Sequence, residues 1–156
     1  MILVSVGASH FPFDRLLHAV DDLSIGETVV VQHGPSEVRP AGARCLPFAP
    51  LQTLAELVQE ARIVVTHAGV GSILLSLANG KRPYVVPRLS AFGETVDDHQ
   101  LESARRLEQA GLVTLVENPE RLRSALAEAN GNVALAPADE VPLVRELRAY
   151  LEFVIA

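Results

Sequence analysis

Two kinds of segment alternate along this chain, and that alternation limits its fold more than any other feature. Ile2 to Val6, Thr28 to Gln32, Arg62 to Thr66 and Pro83 to Val86 are short, apolar and rich in β-branched residues, with Leu112 to Val116 as a weaker fifth. Near-continuous apolar runs of this length fit strands covered on both faces of a parallel sheet. Between them, apolar residues recur at helical spacing. Phe13, Leu16, Leu17 and Val20 form one stripe, with Pro12 suited to the first turn. Leu51, Leu54, Leu57 with Val58, and Ala61 form a second. Leu122, Ala125, Leu126 and Ala129 form another, opened by Asn118-Pro119 and followed by Gly131. Leu143, Leu147, Leu151 and Val154 form the last, within a helix expected from about Asp139 to Phe153. Strands alternating with helices predict an α/β fold, an open and mostly parallel Rossmann-like sheet flanked by helices. With 156 residues, 49 % of them hydrophobic, the chain can bury one core, so residues 1–156 read as a single domain. Asn130 to Glu140 is linker-like but too short to separate two domains.

Composition removes several classes of function. The net charge of -6 argues against nucleic acid as a partner, because phosphate binding needs a basic face. No apolar run approaches the roughly 20 residues that span a bilayer. No basic segment precedes an apolar one at the start, so no signal peptide is expected. The single Cys45 excludes an internal disulfide and a cysteine metal site. The histidines lie in separate loops without a paired ligand spacing, so no metal is expected. These points predict a soluble, cytoplasmic protein.

In open α/β sheets, ligands bind outside the carboxyl ends of the strands. There the chain places Gly7-Ala8-Ser9-His10, His33-Gly34-Pro35-Ser36, His67-Ala68-Gly69-Val70-Gly71-Ser72, and a loop from Arg88 through Glu94 to Asp97-Asp98-His99-Gln100. In HAGVGS, glycines between a buried strand and a helix read as Ile73 to Asn79 let backbone N–H groups approach an anion such as a pyrophosphate. Ser72 can cap that helix or donate to the anion. A plain strand-to-helix turn explains the same glycines equally well. The segment lacks the third glycine of the dinucleotide fingerprint, Leu74 standing there, and Gly80-Lys81-Arg82 is not a P-loop. No Gly-x-Ser-x-Gly elbow marks a serine hydrolase. Thr95 with Asp98 makes a capping box for a helix continuing through Leu101, Ala104 and Leu107 to Gly111. His99 and Gln100 exceed what capping needs and suit sugar hydroxyls.

Taken together, HAGVGS, GKRPYVVPR, GETVDDHQ and LEQAGL, in this order and spacing, resemble the C-terminal domain of family 28 glycosyltransferases, one half of a GT-B fold. The likeness runs from Met1 to about Ala129 and is sharpest from Arg62 to Gly111. It implies that this half holds a UDP-sugar as substrate, without a cofactor. His67, Gly69, Gly71 and Ser72 match the pyrophosphate turn. Phe48 and Ala49 match the loop that holds uracil, and His99 and Gln100 match donor-sugar contacts. Gly7, Ser9, Arg88 and Glu94 are further candidates. The first two would line the first-strand loop near the cleft, and the last two have no assigned role and are not needed to explain folding.

The resemblance also implies a stand-alone subunit of a two-component inverting transferase, similar to the dolichol-linked N-acetylglucosaminyltransferase and, most of all, to bacterial polysaccharide pairs. A membrane-anchored partner would supply the acceptor half and the catalytic base, since no residue here is a convincing base. The chain would then sit at the cytoplasmic face of a membrane through that partner, and alone it would self-associate through apolar surface of its last helix. A non-catalytic half-domain that enhances a partner transferase is the alternative, and an unrelated nucleotide sensor a third. One departure bears on the choice. Many family members carry Glu three residues after the serine, accepting from the ribose, and here that position is Leu75. It lies about 130° from the centre of the Ile73, Leu74, Leu77 and Ala78 stripe, so a single-faced helix would leave it outside the core.

Overall fold

The computed structural model describes residues 1–21, 23 and 26–128. The linker-like stretch and the final helix expected from the sequence lie outside these residues. Six strands form one all-parallel sheet: β1 (Ile2–Ser5), β2 (Val29–Gln32), β3 (Arg44–Leu46), β4 (Ile63–His67), β5 (Tyr84–Val86) and β6 (Thr114–Leu115). Their spatial order is β3-β2-β1-β4-β5-β6. The order reverses between β1 and β4, and the crevice at that reversal is where sheets of this kind bind ligands.

Among the described residues, five α-helices cover the sheet: α1 (Asp14–Asp21), α2 (Leu51–Glu60), α3 (Val70–Ala78), α4 (His99–Gln109) and α5 (Leu122–Ala127). Strand residues alternate between two cores. Ile2, Val4, Val6, Val31, Ile63 and Val65 pack with Phe13, Leu16, Leu17 and Val20 of the α1 segment and with Leu122 and Leu126 of α5. Leu3, Val30 and Val64 point the other way, onto Ala55, Leu57 and Val58 of α2 and Leu75 of α3. Beside them, Ile73 and Leu77 of α3 meet Val85 of β5 and Ala104 of α4. Each fully buried Leu or Phe contributes about 1.5–3 kcal/mol.

The strands expected from composition all form, with shifted ends. β4 runs one residue further than expected, so His67 closes the strand rather than following it. α3 opens at Val70, not Ile73, which puts Gly71 and Ser72 in its first turn. β3 was not legible in the sequence. It is a three-residue edge strand with Arg44 exposed and Cys45 and Leu46 half-buried, so it lacks a long apolar run.

Leu75 corrects a second expectation. It is only 6 % exposed and lies in the α2–α3 core. A helical wheel assumes one buried face, but α3 packs on the sheet and α4 with one side and on α2 with another.

Candidate functional site

The crevice between β1 and β4 is built around His67. Its ring is wedged between the loop after β1 and the turn into α3. A Cβ added to Gly7 would stand 2.2 Å from His67 Cε1, and one added to Gly69 would stand 2.1 Å from His67 Nε2. Only glycine fits either position, and Gly7 also has φ +81°, where side chains are strained. Burial, with the nearby Arg88 charge second, pushes the His67 pKa down to about 4. The imidazole is therefore neutral at physiological pH, and its Nδ1 lies 3.4 Å from Thr66 Oγ1.

A stability prediction follows from that ring. Unfolded, His67 titrates near 6.5, and folded near 4. Between those values the unfolded chain holds the proton and the native site does not, so stability falls as pH drops from 6.5 to 4. The loss from this group totals about 3 kcal/mol over that window. Urea denaturation at several pH values should show His67→Gln losing less stability than wild type across it. Parallel pH profiles would contradict the wedge.

The start of α3 has no side-chain cap. Gly69 is the N-cap, and the first capping bond runs from Ile73 N to Gly69 O at 3.2 Å. Ser72 does not cap, and its carbonyl accepts from Ser76 Oγ at 2.9 Å. Helix geometry leaves the first-turn N–H groups without intrahelical partners, pointing at the crevice edge with the positive end of the dipole. A Cβ on exposed Gly71 would meet nothing within 4 Å, so protein packing does not demand a glycine there.

The other candidates fall into two groups. Phe48, 57 % exposed, and half-buried Ala49 follow β3 at the same edge. Ser9 is half-buried, and its Oγ accepts from Phe11 N at 3.2 Å, shaping the first loop. His99 is exposed at the start of α4, and the buried Oε1 of half-buried Gln100 has no hydrogen-bond partner. A buried acceptor left unmade costs stability unless a ligand donor supplies the bond. The capping box does not form. Asp97 Oδ1 accepts from His99 N at 3.1 Å, while Asp98 Oδ1 crosses the loop to Ser90 N at 2.8 Å.

Arg88 and Glu94 are needed for the fold, contrary to the expectation. Arg88 is 1 % exposed and donates to four carbonyls: Val6 at 2.7 Å, Phe11 at 3.0 Å, Glu94 at 3.1 Å and Pro12 at 3.2 Å. Its guanidinium also lies 4.7 Å from the centre of the Phe13 ring. Burial lowers its pKa to about 10, leaving it charged at neutral pH. The Glu94 carboxylate takes a two-pronged bond from Arg15, both contacts at 2.8 Å, and accepts from Leu89 N. These bonds fasten the β5–α4 loop, which carries His99 and Gln100, to the β1 loop and α1.

Sequence reasoning missed Arg15 and Gln32. Arg15 pairs across 79 residues, which no local pattern encodes. Gln32 had a faint signal, a carboxamide ending a valine strand at the ligand-binding edge. A groove of about 970 Å³ beside α1 is lined by Asp14, Glu94, Glu117 and Glu120 and also by Arg15 and His18. Among the described residues, no group of three or more His, Cys, Asp or Glu could hold a metal ion. No described helix is long and apolar enough to cross a membrane.

A parallel sheet of this order, flanked on both faces and opening on a glycine turn at its reversal point, is a Rossmann-like α/β fold. The model of the glycosyltransferase family 28 C-terminal domain matches residues 1–140, and the chain belongs to that family. Among solved structures, it is similar to the glycotransferase of kitacinnamycin, with 20 % identity and a TM-score of 0.64 over 99 % of this chain and 40 % of that one. MurG of Acinetobacter baumannii gives 20 % identity and a TM-score of 0.57, covering 99 % of this chain and 48 % of that one. The glycosyltransferase VinC, solved in complex with dTDP, gives 19 % and 0.55, covering 97 % and 37 %. At these identities the likeness establishes the fold. This chain spans less than half the length of each. No curated protein sequence matches it.

Proposed function

We propose that this chain binds the UDP-sugar donor in a two-component inverting glycosyltransferase of cell-surface polysaccharide synthesis. The observation that carries the reading is the α3 turn at the sheet's reversal point, where uncapped N–H groups meet open space at Gly71. Those N–H groups stabilise the charge that develops on departing UDP, and being fixed in advance they need no reorganisation. Gly69, Gly71, Ser72 and His67 surround the pyrophosphate, Phe48 and Ala49 border the uracil, and His99 with Gln100 addresses the sugar. A membrane-anchored partner brings the acceptor, the base and the location at the cytoplasmic face. Family membership and VinC's complex with a nucleoside diphosphate support the nucleotide part of the reading.

The test is a thermal shift. UDP at 100 times its Kd should stabilise the protein by about 2.7 kcal/mol. Gly71→Val should abolish that shift, because its side chain would occupy the space the phosphate needs. Equal shifts in both proteins would remove the site assignment. The resemblance implies a ribose-binding Glu at position 75, and the Leu75 found there is buried toward α2 and does not hold a ribose, which favours a second reading as a non-catalytic half-domain. Absence of any UDP shift, with partner binding retained, would select it.

A further inference from the structure

Gln32 is 2 % exposed, and every hydrogen-bonding capacity of its carboxamide is used. Its Oε1 accepts from Ser5 Oγ at 2.8 Å and from Gly7 N at 3.1 Å. Its Nε2 donates to Gly7 O at 3.1 Å and to Pro47 O at 3.0 Å. One side chain thus joins the loop after β1 to the loop after β3, whose next residues are Phe48 and Ala49. Gly7 presses on His67, and His67 on Gly69, so contact runs unbroken from the β3 loop to the α3 turn.

We infer that Gln32 is a positioning residue that fixes the spacing between the base-binding loop and the phosphate-binding turn. The inference rests on the nucleotide reading above. A nucleoside diphosphate touches both ends at once, so its affinity depends on their being held at the right separation beforehand. A ligand that touches only the α3 turn has no such dependence. Pro47 O also accepts from Gly34 N at 2.7 Å, so the β3 loop stays attached to β2 without Gln32. Removing the carboxamide unties that loop from β1 rather than releasing it.

The experiment compares UDP with inorganic pyrophosphate by calorimetry on folded protein. Gln32→Met keeps the length and removes the bonds. It should bind UDP about tenfold more weakly while pyrophosphate changes less than about twofold. Unchanged UDP affinity, or an equal loss for both ligands, would overturn the inference, since a merely structural residue gives one of those two patterns. If circular dichroism shows Gln32→Met unfolded, Ser5→Ala takes its place. It loosens the carboxamide by one bond and should weaken UDP about threefold with the same split. Wild-type affinity in Ser5→Ala would then overturn it. Pyrophosphate binding without UDP binding in the wild type would refute the nucleotide reading itself, and the positioning role with it.

Discussion

Arg88→Met is expected to remove about 3–5 kcal/mol of stability, since each buried acceptor left without a donor costs about 1–3 kcal/mol. Four carbonyls, on Val6, Phe11, Pro12 and Glu94, lose their common donor at once. Val6 O and Glu94 O are buried in these bonds, and only a water entering the space vacated by the guanidinium could replace their donor. Natural domains are stable by only about 5–15 kcal/mol, so the variant should sit near the limit of folding. Arg88→Lys should recover part of the loss. An ammonium keeps the charge and three donors, but it has no planar fork to reach four acceptors on three segments. Urea midpoints for the three proteins make the comparison. A midpoint for Arg88→Met within error of wild type would mean that the loop is held by Arg15 and Glu94 alone.

The second large effect is expected from Leu75→Glu, at about 3–5 kcal/mol near pH 7. The change removes a buried apolar side chain and puts an unpaired carboxylate among Leu3, Val30, Ala55, Leu57, Val58 and Val64. The penalty depends on pH with a definite sign. Burial raises the folded pKa of the new carboxyl above its unfolded value near 4.3. As pH rises past 4.3 the unfolded chain releases its proton first, and the variant loses stability relative to wild type until the folded pKa is passed. The penalty should therefore shrink when the same denaturation is repeated near pH 4.5. UDP affinity should not improve, since a side chain facing α2 does not reach a ribose in the crevice. A stable variant with tighter UDP binding would return this position to the ligand site.

Both predictions concern residues whose roles the sequence did not reveal, for the same reason. The periodicity of an apolar stripe reports how one helix meets one surface. Phe13, Leu16, Leu17 and Val20 obey it because α1 turns one side into a single core, shared by the sheet and α5, and all four are buried. Leu75 escapes it because α3 has neighbours on two sides. Arg88 looked like a candidate because it follows a strand at the binding edge and matches a loop position in the resembled family. Its carbonyl partners lie up to 82 residues away, and their directions are set only when the loops close.

What the sequence determined by itself is the local order of elements and their layering. Five of the six strands, the helical stripes and the polar loops at the carboxyl edge follow from apolar runs and glycine placement, and these are short-range properties. The motif series from HAGVGS to DDHQ carried the family, and the family model covers the same stretch. Tertiary structure decided the rest. It added β3, an edge strand paired on one side only and therefore short of apolar signal. It turned Asp98 from a helix cap into a bond to Ser90, and it buried Leu75, Arg88 and Glu94. It also set the ring of His67 between Gly7 and Gly69, 62 residues apart in sequence, and joined Gly7 to Pro47 through Gln32. Hydrogen bonds and steric contacts of this kind depend on the distance between segments, and that distance exists only once the sheet has brought its strands into register.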